Sequence, residues 1–165
     1  KKIYSFINCL NTVEHYKKDW ELFLELERLM PDWEFRSFGG SCRDGAMHRA
    51  KTVAEEIMKT TFIFHVKRFA DGFGHVIHDS MAIGRPLIVN YGDYKDKLAG
   101  SKLIPGSNCI DVDNKTAEQI KDEIIRCSEL TLLTQMGLDI YNKFREQVNY
   151  DKEELLIREF LDKLQ

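Results

Sequence analysis

The sequence predicts an α/β domain of the Rossmann-like type, an open parallel sheet with helices on both faces. Short apolar runs alternate with amphipathic helical segments along the whole chain, which is the pattern of such a sheet. One of these runs, TFIFHV, is continuously apolar, as is typical of a strand buried on both faces. The chain has 165 residues, of which 43% are hydrophobic, enough for one sizeable core. We therefore expect a single domain over residues 1–165.

The first half of the chain contains two strand-helix pairs and then the TFIFHV strand. The β-forming run IYSFIN (3–8) precedes DWELFLELERLM (19–30), whose apolar residues recur with helical spacing up to a proline. WEFRSFGG (33–40) alternates aromatic and polar residues and ends on two glycines, which predicts a strand and its turn. After a polar loop, AMHRAKTVAEEIMKT (46–60) predicts the second helix, which leads into TFIFHV (61–66).

The second half of the chain adds a helix, two strands and three further helices. The first of these helices lies within ADGFGHVIHDSMAIGRP (70–86) and ends at Gly84. The segments that follow are PLIVN (86–90), SNCIDVD (107–113), KTAEQIKDEIIRCSEL (115–130), 132–148 and 152–164. Thr116 is the expected N-cap residue of the fourth helix, because its hydroxyl can accept a backbone hydrogen bond. The segment NYGDYKDKLAG (90–100), between the two strands, is expected to be a loop.

Composition and charge exclude several classes of function. The net charge of −3 is small and the charged residues are interspersed, so we expect binding neither to nucleic acid nor to membranes in general. No apolar run approaches the roughly 20 residues that span a bilayer, and no export signal is visible. Four cysteines without CxxC spacing favour free thiols in a reducing cytoplasm over a disulfide or zinc framework. The chain begins directly on a strand-like run, so we expect it to be part of a longer protein.

The loop that follows TFIFHV is the most specific candidate site. Ligands of open parallel sheets bind at the carboxyl ends of the strands. Gly72 and Gly74 let the backbone approach a ligand closely, and the helix that follows presents unpaired N–H groups and its positive dipole end to oxygens. Asp71 precedes the loop, and Asp79 lies five residues beyond Gly74. Both carboxylates are therefore expected to face one cleft, where they accept hydrogen bonds from sugar hydroxyls.

The segment DGFGHVIHDSMAIGRPLIV resembles the Glu-x7-Glu signature of GT-B glycosyltransferases. It is most similar to the form found in the retaining enzymes of glycosyltransferase family four, E-G-F-G-x-x-x-x-E-A-M-A-x-G-x-P-V-I. Asp71 and Asp79 occupy the two acid positions. The neighbouring positions that also match are Gly72, Phe73, Gly74, Met81, Ala82, Gly84 and Pro86. With the flanking segments, the resemblance covers nearly the whole chain, as the carboxyl-terminal, nucleotide-sugar-binding half of a two-domain enzyme.

The resemblance implies roles for particular residues. Asp79 is expected to bind the ribose of the nucleotide, and Lys17 and Lys18 to hold the departing diphosphate. The residues implied to contact the donor sugar are Asp71, Gly72, Phe73, Gly74 and His75. Asp71 and Lys18 are thereby the expected catalytic residues. Fixed cations and helix-end amides stabilise the leaving charge in this scheme, so no metal and no other cofactor is expected.

This sequence departs from the family pattern at several positions. Both acids are aspartate instead of glutamate, and the arginine that the family carries after its first strand is absent from INCLNT. Lys67 and Arg68, beside the cleft, are expected to supply the missing charge to the nucleotide. His75, His78 and Asp79 share a helix face and could ligate a metal, but three ligands from one turn are a weak pattern for a metal site.

The implied function is transfer of a hexosyl group from a nucleotide sugar, with retention of configuration, through an oxocarbenium-like transition state. An amino-terminal domain of the same protein is expected to present the acceptor and to provide any contact with the inner face of a membrane. The isolated domain is therefore expected to be inactive or weakly active. Two alternatives stay open: a non-catalytic nucleotide-binding or interaction module of the same fold, which the aspartates and the missing arginine favour, and a nucleotide-sugar epimerase or phosphorylase.

Overall fold

The computed structural model describes residues 1–47, 50–68, 74–97 and 102–163. Within these residues the chain forms one five-stranded sheet and seven α-helices. The strands are β1 (Lys2–Ser5), β2 (Glu34–Ser37), β3 (Phe62–His65), β4 (Leu87–Val89) and β5 (Cys109–Asp111). The helices are α1 (Lys17–Leu29), α2 (Ala50–Met58), α3 (His75–Ile83), α4 (Tyr91–Tyr94), α5 (Ala117–Cys127), α6 (Leu130–Gln147) and α7 (Tyr150–Asp162).

All strand pairs in the sheet are parallel, and the strand order is β2-β1-β3-β4-β5. The register pairs Ile3 with Phe35 on one side and with Phe62 on the other. The chain adds β2 to one side of β1 and then crosses to the other side for β3, so the strand order reverses between β1 and β3. This confirms the predicted open parallel sheet and places its switch point, where such folds bind ligands, at these two strands.

Helices cover both faces of the sheet, as predicted, because the strand residues alternate between two hydrophobic cores. On β3, Phe62 and Phe64 belong to the core that α1 and α5 cover. Ile63, between them, belongs to the core that α2, α3, α4 and α6 cover. Successive side chains of a strand point to opposite faces, so a fully buried strand such as β3 contributes to both cores at once.

Several element boundaries differ from the predictions. Helix α1 begins at Lys17, two residues earlier than predicted, after a 3-10 turn at Glu14–Tyr16. Residues 46 and 47, which were predicted to be helical, are not helical, and α2 covers Ala50–Met58. The predicted loop after β4 contains the short helix α4, because Tyr94 is fully buried and Asp111 accepts a hydrogen bond from the Tyr91 N–H at 3.0 Å.

The predicted N-cap of α5 is confirmed. The Thr116 hydroxyl accepts from the backbone N–H of Gln119, and the Gln119 side chain accepts from the backbone N–H of Thr116 at 2.9 Å. This reciprocal arrangement satisfies two N–H groups that have no partner inside the helix. All four cysteines are free, and three of them are buried.

Helix α7 has no buried residue among those described. Its large apolar side chains, each more than half exposed, are Leu155, Leu156, Ile157, Phe160 and Leu161. A cluster of this kind on a helix is typical of a surface that packs against another part of a protein. None of the helices in the described part of the chain is both long and apolar enough to cross a bilayer.

Candidate functional site

A cleft of about 290 Å³ lies at the carboxyl ends of β1 and β2, next to the switch point. Phe6 and Asn8 line it after β1, and Phe38 begins the segment that lines it after β2. The remaining lining residues are Gly39, Gly40, Ala46, Met47, Val53 of α2 and Val76 of α3. The cleft is thus mostly apolar, with polar groups from the Asn8 amide and the glycine backbone.

Aromatic packing and one close backbone approach shape the wall of the cleft. The rings of Phe6 and Phe38 stack, with centroids 5.5 Å apart. The Gly40 N–H donates to Asn8 Oδ1 at 2.5 Å, which joins the loop after β2 to the loop after β1. A Cβ on Gly39 would lie 2.8 Å from the Asn8 Cα, so only glycine allows these two loops to meet. The sequence predicted a turn at these glycines, but not that the turn forms the wall of a cleft.

Arg43 holds the loop after β2 against α1. Its guanidinium donates to Glu27 of α1 at 2.8 Å and to the Phe35 carbonyl oxygen at 2.8 Å. Asp44 accepts from the Ser37 N–H at 2.7 Å and from Arg43 at 3.3 Å. These contacts satisfy the charges of both residues within the loop, so their role in this structure is to stabilise the wall of the cleft.

The four predicted cations, Lys17, Lys18, Lys67 and Arg68, all lie on or contact the start of α1. Lys17 and Lys18 are exposed and form its first two residues. The Lys67 ammonium lies 5.6 Å from the centre of the Tyr16 ring, and the Arg68 guanidinium forms an ion pair with Asp19. We call these four residues the basic cluster. Two segments 50 residues apart in sequence thus bring their cations together at the positive end of a helix dipole.

Two acids reduce the net charge of the basic cluster. Glu14 lies 3.8 Å from Lys17, where both side chains are exposed, so this pair contributes little to stability. Asp19 is buried and pairs with Arg68, whose side chain is 37% exposed. Burial raises the pKa of Asp19 from its ordinary value, and the hydrogen bonds and charge of Arg68 oppose that rise.

The predicted sugar-binding loop is described only in part. Asp71, Gly72 and Phe73 lie outside the described residues, so their roles stay predictions. Gly74 is the N-cap residue of α3, with extended backbone angles, and the Ile77 N–H donates to its carbonyl oxygen at 3.1 Å. His75 begins α3 and is exposed. The helix therefore starts where the sequence predicted that it would.

Asp79 is exposed and lies one turn beyond Val76 on α3. It lines a second hollow of about 400 Å³ between α2 and α3, together with Lys51, Ala54, Ala82 and Ile83. Val76 lines the first cleft, so the same two helices border both hollows. The predicted contact of Asp79 with ribose stays a prediction. Among the described residues, no group of three or more His, Cys, Asp or Glu side chains is arranged to hold a metal ion.

The burial of His78 on α3 predicts a pH dependence of the free energy of unfolding. Burial lowers the pKa of His78 from its ordinary value of 6.5, while the charge of Asp79 works in the opposite direction. A lowered pKa favours the neutral imidazole in the folded state, so this contribution to stability is present above pH 6.5 and lost as the pH falls through the folded-state pKa.

We therefore expect the wild-type melting temperature to fall more steeply on acidification than that of His78→Gln. Thermal unfolding at about pH 7.5 and about pH 5 measures the difference, because this interval spans the ordinary histidine pKa of 6.5. His15→Gln, at an exposed position before α1, is the matched control and is expected to follow the wild type. Equal slopes for wild type and His78→Gln would contradict the assignment.

Comparison with known proteins gives structural matches only. No protein-family model matches the sequence, and no curated protein matches it. HepE of Anabaena, in complex with UDP and glucose, matches with a TM-score of 0.65 and 14% identity over 98% of this chain and 48% of HepE. A variant of TarM from S. aureus, in complex with fondaparinux, α-GlcNAc-glycerol and UDP, matches with a TM-score of 0.69 and 11% identity, over 98% of this chain and 35% of TarM.

A single domain of another glycosyl transferase also matches. The carboxyl-terminal domain of LpcC from Francisella tularensis, a group 1 glycosyl transferase, matches with a TM-score of 0.61 and 14% identity, over 86% of this chain and 83% of that domain. The chain therefore has the fold of the carboxyl-terminal domain of GT-B glycosyltransferases. It spans less than half the length of HepE and TarM.

Proposed function

We propose that this chain is the donor-binding domain of a retaining glycosyltransferase, which transfers a hexosyl group from a nucleotide sugar. The observation that carries the proposal is the basic cluster at the start of α1, on the edge of the sheet where its strands end. A diphosphate needs cations around it, and the positive dipole end of α1 beside lysines and an arginine offers them. The structural neighbours HepE and TarM are complexes with UDP, which agrees with a nucleotide ligand for this fold.

The cleft suits the remainder of a nucleotide sugar. Its apolar wall, with the stacked rings of Phe6 and Phe38, accommodates a flat base, and the Asn8 side-chain amide, whose Oδ1 accepts from Gly40, can donate through Nδ2. In our proposal the donor sugar contacts Asp71 and residues 72–75 at the start of α3, and Asp79 contacts the ribose. These roles follow from the motif, in which the two acids stand seven residues apart.

The proposed chemistry is stabilisation of the departing diphosphate. As the bond between sugar and diphosphate breaks, negative charge develops on the leaving oxygen, and Lys18 with the other members of the basic cluster stabilises it. Cations that are already in position before the reaction need not be reorganised when the negative charge develops on the leaving oxygen. The sugar passes through an oxocarbenium-like state, for which Asp71 is the proposed partner, and neither a metal nor another cofactor takes part.

The acceptor site belongs, in our proposal, to an amino-terminal domain of the same protein. The exposed apolar side chains of α7, which the rest of the described chain leaves uncovered, support a second domain in contact with this one. Closure of two domains over the donor excludes water from the reaction. The isolated domain is accordingly expected to bind a nucleotide sugar but to transfer it slowly or not at all. We place this activity in the cytoplasm, with any membrane contact made by the other domain.

A non-catalytic nucleotide-binding module is the second candidate. The aspartates at positions 71 and 79 and the absence of an arginine from INCLNT favour it, because both changes depart from the pattern of the catalytic family. The two candidates differ in turnover of the complete two-domain protein, since only the enzyme releases free nucleoside diphosphate from the nucleotide sugar.

Titration of the domain with UDP, GDP and their sugars tests the proposed site. We expect nucleotide binding to shift the amide resonances at the start of α1, at residues 66–68 and at the start of α3. If no nucleotide shifts these resonances, the proposed function is wrong.

Lys18→Ala is expected to weaken nucleotide binding about tenfold to a hundredfold, the range for loss of one hydrogen bond to a charged group. Calorimetric titration with UDP measures the change. Lys59→Ala is the control, because Lys59 is also exposed but precedes β3, at the amino ends of the strands. We expect this variant to bind UDP like the wild type. Equal affinity of the two variants would remove Lys18 from the site.

A further inference from the structure

Two buried side chains hold the backbone of Lys67 and Arg68, at the carboxyl end of β3. The Lys67 N–H donates to Asn90 Oδ1 at 2.8 Å, and the Arg68 N–H donates to Asp19 Oδ2 at 3.2 Å. Asp19 is in the first turn of α1, which precedes β3 in sequence, and Asn90 follows β4, which comes after β3. We call these two side chains the anchors of the dipeptide. Consecutive backbone groups beyond the end of a strand are therefore fixed by two separate elements.

Both anchors are almost completely removed from solvent. Asp19 is 1% exposed and Asn90 is 0% exposed. Burying an amide or a carboxylate costs free energy unless its hydrogen bonds are made. The amide nitrogen of Asn90 is also bonded, since Nδ2 donates to an Asp93 carboxylate oxygen at 2.5 Å. Asp19 also accepts from the Arg68 guanidinium. Both side chains thus bind one dipeptide, Lys67-Arg68, and Asn90 also binds Asp93 of α4.

Side-chain contacts with the start of α1 fix the positions of the two cations of this dipeptide. The Lys67 ammonium lies over the Tyr16 ring, immediately before α1, and the Arg68 guanidinium lies against Asp19 within α1. More than a third of the Arg68 side chain stays exposed. A cation that is held on one side by a buried carboxylate and open on the other can contact an anion without losing further side-chain freedom.

We propose that Asp19 and Asn90 are positioning residues, which fix the Lys67-Arg68 dipeptide beside the start of α1 so that its cations meet the diphosphate of the bound nucleotide. This inference rests on the proposed function. Neither residue contacts the ligand: Asn90 acts through the Lys67 backbone, and Asp19 acts through both the backbone and the guanidinium of Arg68.

The Asp19→Asn substitution can distinguish a role of Asp19 in positioning Arg68 from a role in stabilising the fold. Because burial raises its pKa, the contribution of Asp19 to stability is fully present only below the ordinary pKa of 3.8 and is lost as the pH rises through the folded-state pKa. At neutral pH the ionised carboxylate is therefore, on balance, a cost to folding. Asp19→Asn keeps the shape and an acceptor for the Arg68 N–H. We expect this variant to melt at or above the wild-type temperature and yet to bind the nucleotide more weakly.

The test compares Asp19→Asn and Asn90→Ala with a matched control, Asn108→Ala. Asn108 is also 0% exposed, accepts from the Ile104 N–H at 2.8 Å and donates to the Lys102 carbonyl oxygen at 2.9 Å. It immediately precedes β5, so it fixes a loop at the opposite end of the strands. Thermal unfolding, UDP affinity by calorimetry, and amide hydrogen exchange at Lys67 and Arg68 are measured for each variant.

We expect Asn90→Ala and Asn108→Ala to lose similar thermal stability, while only Asn90→Ala and Asp19→Asn lose about tenfold or more in UDP affinity. The Lys67 amide is expected to exchange faster in Asn90→Ala and not in Asn108→Ala. Wild-type UDP affinity in both Asp19→Asn and Asn90→Ala, or an affinity loss of the same size in Asn108→Ala, would overturn the positioning role while leaving the proposed function intact. Failure of the wild-type chain to bind any nucleotide would instead overturn the proposed function, and the positioning role with it.

Discussion

Replacing Phe23 by alanine is expected to lower the free energy of unfolding by about 3–5 kcal/mol. The Phe23 side chain is 0% exposed, and its ring contacts three other aromatic rings. The ring centroids lie 5.1 Å from Phe64, 5.4 Å from Phe35 and 5.3 Å from Trp20. Truncation leaves a cavity between α1, β2 and β3 that these rigid rings cannot fill by small shifts. A domain of this size is stable by only about 5–15 kcal/mol, so the loss is a large fraction of the total.

Urea denaturation measures this loss, with Leu24→Ala as the control. Leu24 is the next residue of α1 and is 39% exposed, so we expect its truncation to cost about 1 kcal/mol or less. The comparison bears on function because α1 carries Lys17, Lys18 and Asp19 at its start, and the Phe23 ring holds this helix on the sheet. A similar loss in the two variants would show that the aromatic cluster does not anchor α1.

Replacing Gly84 or Gly137 by alanine is expected to destabilise the protein although both positions are small and near the surface. Gly84 ends α3 with φ of +71°, and a Cβ there would lie 3.0 Å from the Gly137 carbonyl oxygen of α6. A Cβ on Gly137 would lie 2.8 Å from the Gly84 carbonyl oxygen. The two backbones touch at this point, so either methyl group must push α3 and α6 apart. Overpacking of this kind costs about 1–3 kcal/mol.

Three glycine variants separate the cost of a left-handed backbone from the cost of the steric contact between α3 and α6. Gly106→Ala measures the backbone cost alone, because Gly106 has φ of +81° and nothing within 4 Å of its Cβ position. We expect about 1–2 kcal/mol there, the penalty for a left-handed alanine. Gly137→Ala introduces only the steric contact between α3 and α6. Gly84→Ala introduces both that contact and the left-handed backbone penalty, so we expect it to lose the most stability. In an uncrowded helix glycine-to-alanine stabilises by about 1 kcal/mol, and such a gain in Gly137→Ala would contradict the close approach.

The fold was predictable from the sequence because its signals are local. Strand β3 has three apolar residues before His65, the helical stripe of α1 recurs at fixed spacing, and Thr116 with Gln119 forms the capping box of α5. Each signal depends on residues within one or two turns of each other. The helix-terminating Gly84 was recognisable for the same reason, since its left-handed backbone serves the chain that immediately surrounds it.

Boundaries and short elements were less predictable, because contacts from other segments decide them. Helix α4 forms in a segment that is rich in polar residues, and its formation depends on burial of Tyr94 and on a hydrogen bond from the Tyr91 N–H to Asp111. The early start of α1 likewise follows a 3-10 turn that the apolar pattern does not reveal.

The sequence by itself determined the alternation of strands and helices, the parallel sheet, the start of α3 at the glycine-rich loop and the identity of the basic residues. Only the tertiary structure decided that Lys67 and Arg68 meet the first turn of α1, that Arg43 braces the cleft and that Asn90 and Asp19 hold one dipeptide. The physical reason is the distance along the sequence over which each kind of interaction acts. Backbone propensity and apolar spacing act between near neighbours, whereas ion pairs and buried hydrogen bonds depend on which distant segments the packed sheet brings within a few ångströms.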